Sequence, residues 1–223
     1  MPLPGSEWLA KVLHLASQSL LIPVIGGLLL FLTYTLVELG GLVAEYGMRR
    51  RVGAAQVGEL LEALQGSHDA GKVLASAALT PGQKAVLERI LAREHLSPAA
   101  LKAYARRVLE EEELIRARAV ERTDLVARLG PALGLMGTLI PLGPGLAALG
   151  AGDVRGLAEA VIIAFDTTVV GLAAGGVAYF ISRVRRRWYE DYLATLEAVA
   201  EVLLEALERA KEKKAVASWR GRG

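Results

Sequence analysis

Few polar side chains in this chain are placed to do chemistry, and the best placed lie where water is scarce. Thr138, Thr167, Thr168 and Asp166 sit inside stretches otherwise built from Leu, Ile, Val, Ala and Gly. In such surroundings a hydroxyl or carboxyl can hold or relay a proton or a small cation, and an ionisable group there is a functional candidate. The chemistry of a soluble enzyme is poorly provided for. His14, His68 and His95 are scattered, and none has a second ligand at metal spacing. There is no cysteine, which excludes disulfides, thiol catalysis and Cys-ligated metals. No glycine loop opens a helix in the manner of a phosphate site. The chain is therefore expected not to be an enzyme, with no metal, no cofactor and no catalytic residue.

The candidate polar groups adjoin runs of small residues. Gly130, Gly134, Gly137, Pro141 and Gly145 recur at helical spacings of three or four, with Thr138 beside them. Ala164, Thr168, Gly171 and Gly175 repeat the pattern further on, with Thr167 adjoining. Small faces let helices approach closely where no hydrophobic effect drives association. Two readings stand: packing seams whose threonines bond back to their own helix, or polar-dotted faces presented to a partner. Pro141 and Pro144 favour the second, because proline frees carbonyls that could meet polar groups or ions. Asp166 lies two residues from Thr168, about 200° round a helix, so the two cannot share one face. It is either an added ion relay at a subunit boundary or a packing residue bonded to the hydroxyl of Thr33, Tyr34 or Thr35. Glu159, seven residues earlier, shares its face.

Three apolar stretches must position these residues. The chain is 53% hydrophobic with a mean hydropathy of +0.37, yet 22% of it is charged. The charge is segregated, which excludes a simple soluble domain. Residues 15–37 (23 residues) and 129–152 (24 residues) carry none, and 160–182 (23 residues) carries only Asp166. About 20 residues cross ~30 Å of hydrocarbon at ~1.5 Å each. All three stretches pass, and the first reads as an uncleaved anchor rather than a signal peptide. Arg49–Arg51, Arg116, Arg118, Arg122, Arg128 and Arg183–Arg187 flank the spans on one side, against Arg155 on the other. The positive-inside rule then puts residues 1–14 and the 153–159 loop outside, and 38–128 and 183–223 in the cytoplasm. A net charge of +2 gives no reason to expect nucleic-acid binding.

The charged segments read as helices. Val57–Leu64 is amphipathic, Gly66-Ser67-His68-Asp69 is a turn, and Thr80-Pro81-Gly82-Gln83 is a capping-box helix start with Val86, Leu87, Ile90 and Leu91 facing inward. Ser97-Pro98 opens a helix with no breaker before Arg128. Glu110–Glu113 with Arg116 and Arg118 suits a solvated face with i,i+4 pairs, the other reading being a docking surface for a regulator. Leu193, Leu196, Val199, Val202, Leu203 and Leu207 form a stripe that needs a partner, either the 98–128 helix or its copy in a neighbouring subunit. The segment from Ala215 onward is expected to fray.

The run Arg128-Leu-Gly-Pro131-Ala-Leu-Gly134-Leu-Met-Gly137-Thr138 resembles the second-span signature of the MotA/TolQ/ExbB proton-channel family. The run Ala164-Phe-Asp-Thr167-Thr168-Val-Val-Gly171-Leu172-Ala-Ala resembles its third-span motif, and the order of parts is similar to the TolQ/ExbB branch. Asp166 departs from the family pattern, where small or apolar residues are usual. The resemblance implies an all-α membrane protein, with three transmembrane helices and long cytoplasmic helical extensions. It implies a homo-oligomer, a pentamer, around two copies of a single-span subunit like ExbD, TolR or MotB, within lipid of the cytoplasmic (inner) membrane. That subunit carries the ion-binding aspartate; Thr138 and Thr168 would face it, and H+ or Na+ would be the transported ion. The implied function is coupling ion flow to mechanical work. An oligomeric scaffold without conduction is the alternative, and a stand-alone transporter is disfavoured by the lack of an inverted repeat.

Overall fold

A computed structural model of the protein describes residues 6–49, 54–66 and 70–220. Arg50, Arg51 and the expected turn at Ser67-His68-Asp69 lie outside the described residues. Within them the fold is all α: α1 Ser6–Ser19, α2 Leu21–Arg49, α3 Ala54–Gly66, α4 Ala70–Ser76, α5 Pro81–Leu91, α6 Pro98–Gly150 and α7 Val154–Arg220. Three stretches of helix, Trp8–Gly47, Pro98–Gly150 and Val154–Lys213, contain windows long and apolar enough to cross a membrane. The chain divides into two units, residues 1–42 with 120–184 and residues 43–119 with 185–223, and α6 and α7 contribute to both.

In the first unit the apolar run at residues 15–37 does not form one continuous helix. A turn at Leu20 separates α1 from α2. Pro23 is the cause: it has no N–H for the Ser19 carbonyl, and its ring crowds that same carbonyl. Regular bonding resumes with the Val24 N–H on the Leu20 oxygen at 3.0 Å. The connection between α6 and α7 is also shorter than residues 153–159, because α7 is helical from Val154. Asp153 and Gly152 donate back to Ala148 and Leu149, both at 2.9 Å, while Gly152 takes φ +84°. This is a Schellman closure, and the left-handed conformation at its centre explains the glycine. The Asp153 carboxylate then accepts from the Gly156 N–H at 3.0 Å and caps α7.

The second unit has its own apolar core. Leu60, Leu64 and Leu74 from α3 and α4, and Val86, Leu87 and Ile90 from α5, pack with Leu101, Ala105 and Val108 of α6 and with Leu196, Val199, Leu203 and Leu207 of α7. The α7 stripe thus finds its partner within the chain. Thr80 caps α5 as the sequence indicated: its hydroxyl accepts from the Gln83 N–H at 3.4 Å and the Gln83 side chain accepts from the Thr80 N–H at 3.0 Å. Gln83 also donates to the Tyr192 carbonyl at 3.2 Å, tying α5 to α7. Tyr192 in turn donates to Glu112 at 3.0 Å, and Arg116 pairs with the same carboxylate at 2.6 Å while lying 4.4 Å over the Tyr192 ring. Burial, with the Glu112 charge beside it, pushes the Tyr192 phenol up to about 12. Helix continues to Arg220 rather than fraying from Ala215.

Candidate functional site: the α6–α7 hairpin

The small residues of α6 and α7 meet one another. A Cβ on Gly171 would lie 2.6 Å from the Gly130 oxygen and 2.8 Å from the Gly134 Cα. One on Gly175 would lie 2.6 Å from Pro131 Cδ, and one on Gly145 would lie 2.7 Å from Ala160 Cβ. Gly137 receives the Thr167 side chain, whose Cβ would be 2.6 Å from an added methyl. Pro141 and Ala164 are buried on the same two faces. All the expected small residues therefore lie in one antiparallel seam, and their close approach is made inside the chain. Gly176, by contrast, has open space around its Cβ position.

The seam fixes where the threonines point. Leu133 and Ile140 of α6 and Val170 of α7 cluster with Val24 and Leu28 of α2. At about 100° per residue, Thr138 falls to the other side of the α6 seam from Leu133 and Ile140, and Thr168 to the other side of the α7 seam from Val170. The hairpin therefore brings Thr138 and Thr168 to one face, the face away from α2. The seam register sets Thr138 level with residue 166, which leaves the two threonines about 3 Å apart in height. Thr167 lies in the seam, 7% exposed, and does not share that face.

Each threonine bonds to its own helix. Thr138 donates to the Leu135 carbonyl at 2.6 Å, Thr168 to Ala164 at 3.0 Å, and Thr167 to Ile163 at 2.9 Å and Ala164 at 3.0 Å. With the hydroxyl proton committed to a carbonyl, the oxygen offers lone pairs outward. Such a group accepts from a protonated acid or ligates a cation, and it serves a bare carboxylate only by breaking its helical bond. Pro141 adds another acceptor at this level, since it cannot donate to the Gly137 carbonyl. Pro144 likewise frees the Ile140 carbonyl, and here the structure supplies the replacement: Gln18 Nε2 of α1 donates to it at 3.3 Å. Sequence reasoning saw the freed carbonyl but not Gln18, which sits in a separate helix.

Asp166 is on neither the seam nor the threonine face. It is exposed one turn before Val170, beside the exposed Ile162, Phe165 and Val169. Two of the hydroxyls suggested as its partners are spent elsewhere, Thr33 on the Leu29 carbonyl at 2.8 Å and Thr35 on Phe31 and Leu32 at 3.0 and 2.8 Å. Asp166 makes no hydrogen bond or ion pair among the described residues, and Glu159 pairs instead with Arg155 at 3.1 Å. One polar pair was missed altogether: Ser182 donates to Asp124, joining α7 to α6 where the apolar stretch ends. An acid and a serine 58 positions apart carry no local sequence signal.

Three long apolar helices, two of them closed into a small-residue hairpin dotted with hydroxyls, define a membrane-spanning protein. The profile of the MotA/TolQ/ExbB proton channel family matches residues 75–198, more than half of the chain, and the protein belongs to that family. A channel- or motor-type function comes with membership. No curated protein matches the chain.

Proposed function

We propose that this chain is the ring-forming subunit of a TolQ/ExbB-like motor, in which ion flow across the cytoplasmic membrane drives a single-span partner resembling ExbD, TolR or MotB. Five copies would surround two copies of that partner, with the N-terminus and the α6–α7 turn outside. The observation that carries this reading is the pairing of Thr138 and Thr168 on the hairpin face away from α2. Their outward lone pairs suit a protonated partner carboxyl, or Na+ held beside a carboxylate, at two heights ~3 Å apart. A ring of such acceptors would pass the acid from one subunit to the next without trapping a charge in low dielectric.

Asp166 would act separately, at the boundary with a neighbouring subunit. A carboxylate at mid-membrane facing hydrocarbon costs about 3 kcal/mol, so its exposed face calls for a protein neighbour or a bound cation. The back-bonded threonines favour a second reading, a scaffold in which every hydroxyl serves only its own helix. Co-expression with a short single-span protein encoded nearby, followed by proton and sodium flux in proteoliposomes, separates the two. Thr168→Val keeps the shape and removes the lone pairs; a loss of flux of tenfold or more, with Thr168→Ser restoring it and assembly unchanged, supports the motor. Full flux in both Thr168→Val and Thr138→Val removes the threonines from the pathway, and an unsubstituted complex that assembles but passes no ions leaves the scaffold. Asp166→Asn abolishes flux if Asp166 relays ions, and full flux in that variant removes it from the pathway.

A further inference from the structure

The charged ends of α6 and α7 enclose a groove of about 390 Å³ that belongs wholly to the second unit. Its floor is apolar, with the partly exposed Leu109 of α6 and Leu204 of α7 over the buried Leu101, Ala105 and Ala200. Its rim is acidic: Glu110, Glu113, Glu197, Glu201, Glu205 and Glu208. Glu205 is paired with Arg209 at 3.0 Å, but the other five take no part in an ion pair among the described residues. Against these six carboxylates the lining offers three cations, Lys102, Arg106 and Lys211, the last of which also donates to the Leu96 carbonyl.

The acidic excess disfavours the helix that carries it. Glu197, Glu201 and Glu205 succeed one another at i,i+4, a spacing at which like charges repel. A merely solvated face would do better with mixed signs, as α6 does at Arg107 and Glu111, 3.4 Å apart. The groove is no metal site, since no group of three possible ligands comes together among the described residues. Its sign repels phosphate backbones and anionic lipid headgroups.

We propose that the groove binds a basic amphipathic helix of a partner protein in the same aqueous compartment. From Pro98 to Glu113 the groove runs about 20 Å, the length of a helix of about four turns. Apolar residues at i, i+4 and i+7 of that helix lie on the floor, and lysines or arginines meet the glutamate row of α7 and, at one end of the α6 wall, Glu110 and Glu113. A second copy of this chain is a poorer fit, because its α7 would bring Glu197, Glu201, Glu205, Glu208 and Glu212 against a rim of the same sign.

The test uses the full chain in lipid nanodiscs and a fluorescent synthetic helix of leucine and lysine, about four turns long, read by anisotropy. The expected result is saturable micromolar binding that weakens with salt. It should weaken at least tenfold in the combined variant Glu197→Lys, Glu201→Lys, Glu208→Lys, and less steeply in the matching glutamine variant. Because the lysines also relieve like-charge repulsion within α7, melting should hold steady or rise while binding is lost, and the glutamine variant serves if the lysines perturb folding. Unchanged affinity in both variants overturns the proposal, as does equal binding of a helix with glutamate in place of lysine. Cross-linking from Glu201→Cys to a second copy that the synthetic helix cannot displace also overturns it, in favour of self-association.

Discussion

Replacing Gly171 with alanine puts a methyl carbon 2.6 Å from the Gly130 oxygen and 2.8 Å from the Gly134 Cα, both backbone atoms that no rotamer change can move. Ordinary contact begins at 3.4 Å, so α6 and α7 must part locally by about 0.8 Å. A gap of that size forfeits roughly a quarter to a half of the dispersion attraction at each facing atom pair. Overpacking of this kind costs about 1–3 kcal/mol, offset by up to ~1 kcal/mol from alanine's better helix propensity. The net destabilisation is about 1–2 kcal/mol. Gly176→Ala, five residues on along the same helix, meets nothing within 4 Å and keeps only the propensity gain of about 0.5–1 kcal/mol. Thermal unfolding of the purified protein in detergent, followed by far-ultraviolet circular dichroism, should separate the two variants by roughly 5 °C or more. Equal melting of the two, or a more stable Gly171→Ala, would refute the seam as the reason for these glycines.

Tyr192 holds its proton more tightly folded than unfolded, with a pKa of about 12 against 10.0. The stability tied to that proton is complete below pH 10 and is lost as pH climbs toward 12, by at most ~2–3 kcal/mol; Tyr192→Phe should flatten that part of a denaturant-midpoint-versus-pH curve. Gln18→Met removes the only side-chain donor the structure provides to the Ile140 carbonyl among the described residues. It should cost about 1–3 kcal/mol and raise amide exchange selectively in α1. Thr80→Ala breaks the capping box of α5 and should lower the unfolding free energy by about 1 kcal/mol without altering ion flux.

The apolar helices and the start of α5 were legible because their signals are local: a charge gap, a capping residue, a proline at the first turn. Glycine spacing revealed a close-packing face on each of α6 and α7, but spacing names a face and not the neighbour it meets. Hence the same residues read toward a partner, and only the register of Gly134 against Gly171 makes α6 and α7 each other's neighbour. Asp166 illustrates the converse. Its angular distance from Thr168 followed from helix geometry, whereas its lack of contact with Thr33 and Thr35 depended on where those hydroxyls donate. The break at Leu20 could have been read from Pro23, which sits four residues after the carbonyl it leaves without a donor. Gln18 on Ile140, Ser182 on Asp124, and the groove between residues 98–113 and 197–211 join positions too far apart in sequence for any periodicity to link them.

The tight closure between α6 and α7 bears on how the protein is made. Between Leu129 and Ser182 the chain carries four charged residues, Asp153, Arg155, Glu159 and Asp166. Three of them are engaged at the turn: Asp153 accepts from the Gly156 amide, and Arg155 pairs with Glu159. The two helices can enter a bilayer together as a hairpin already closed along its own seam, with Asp166 the one charged side chain between residues 160 and 182.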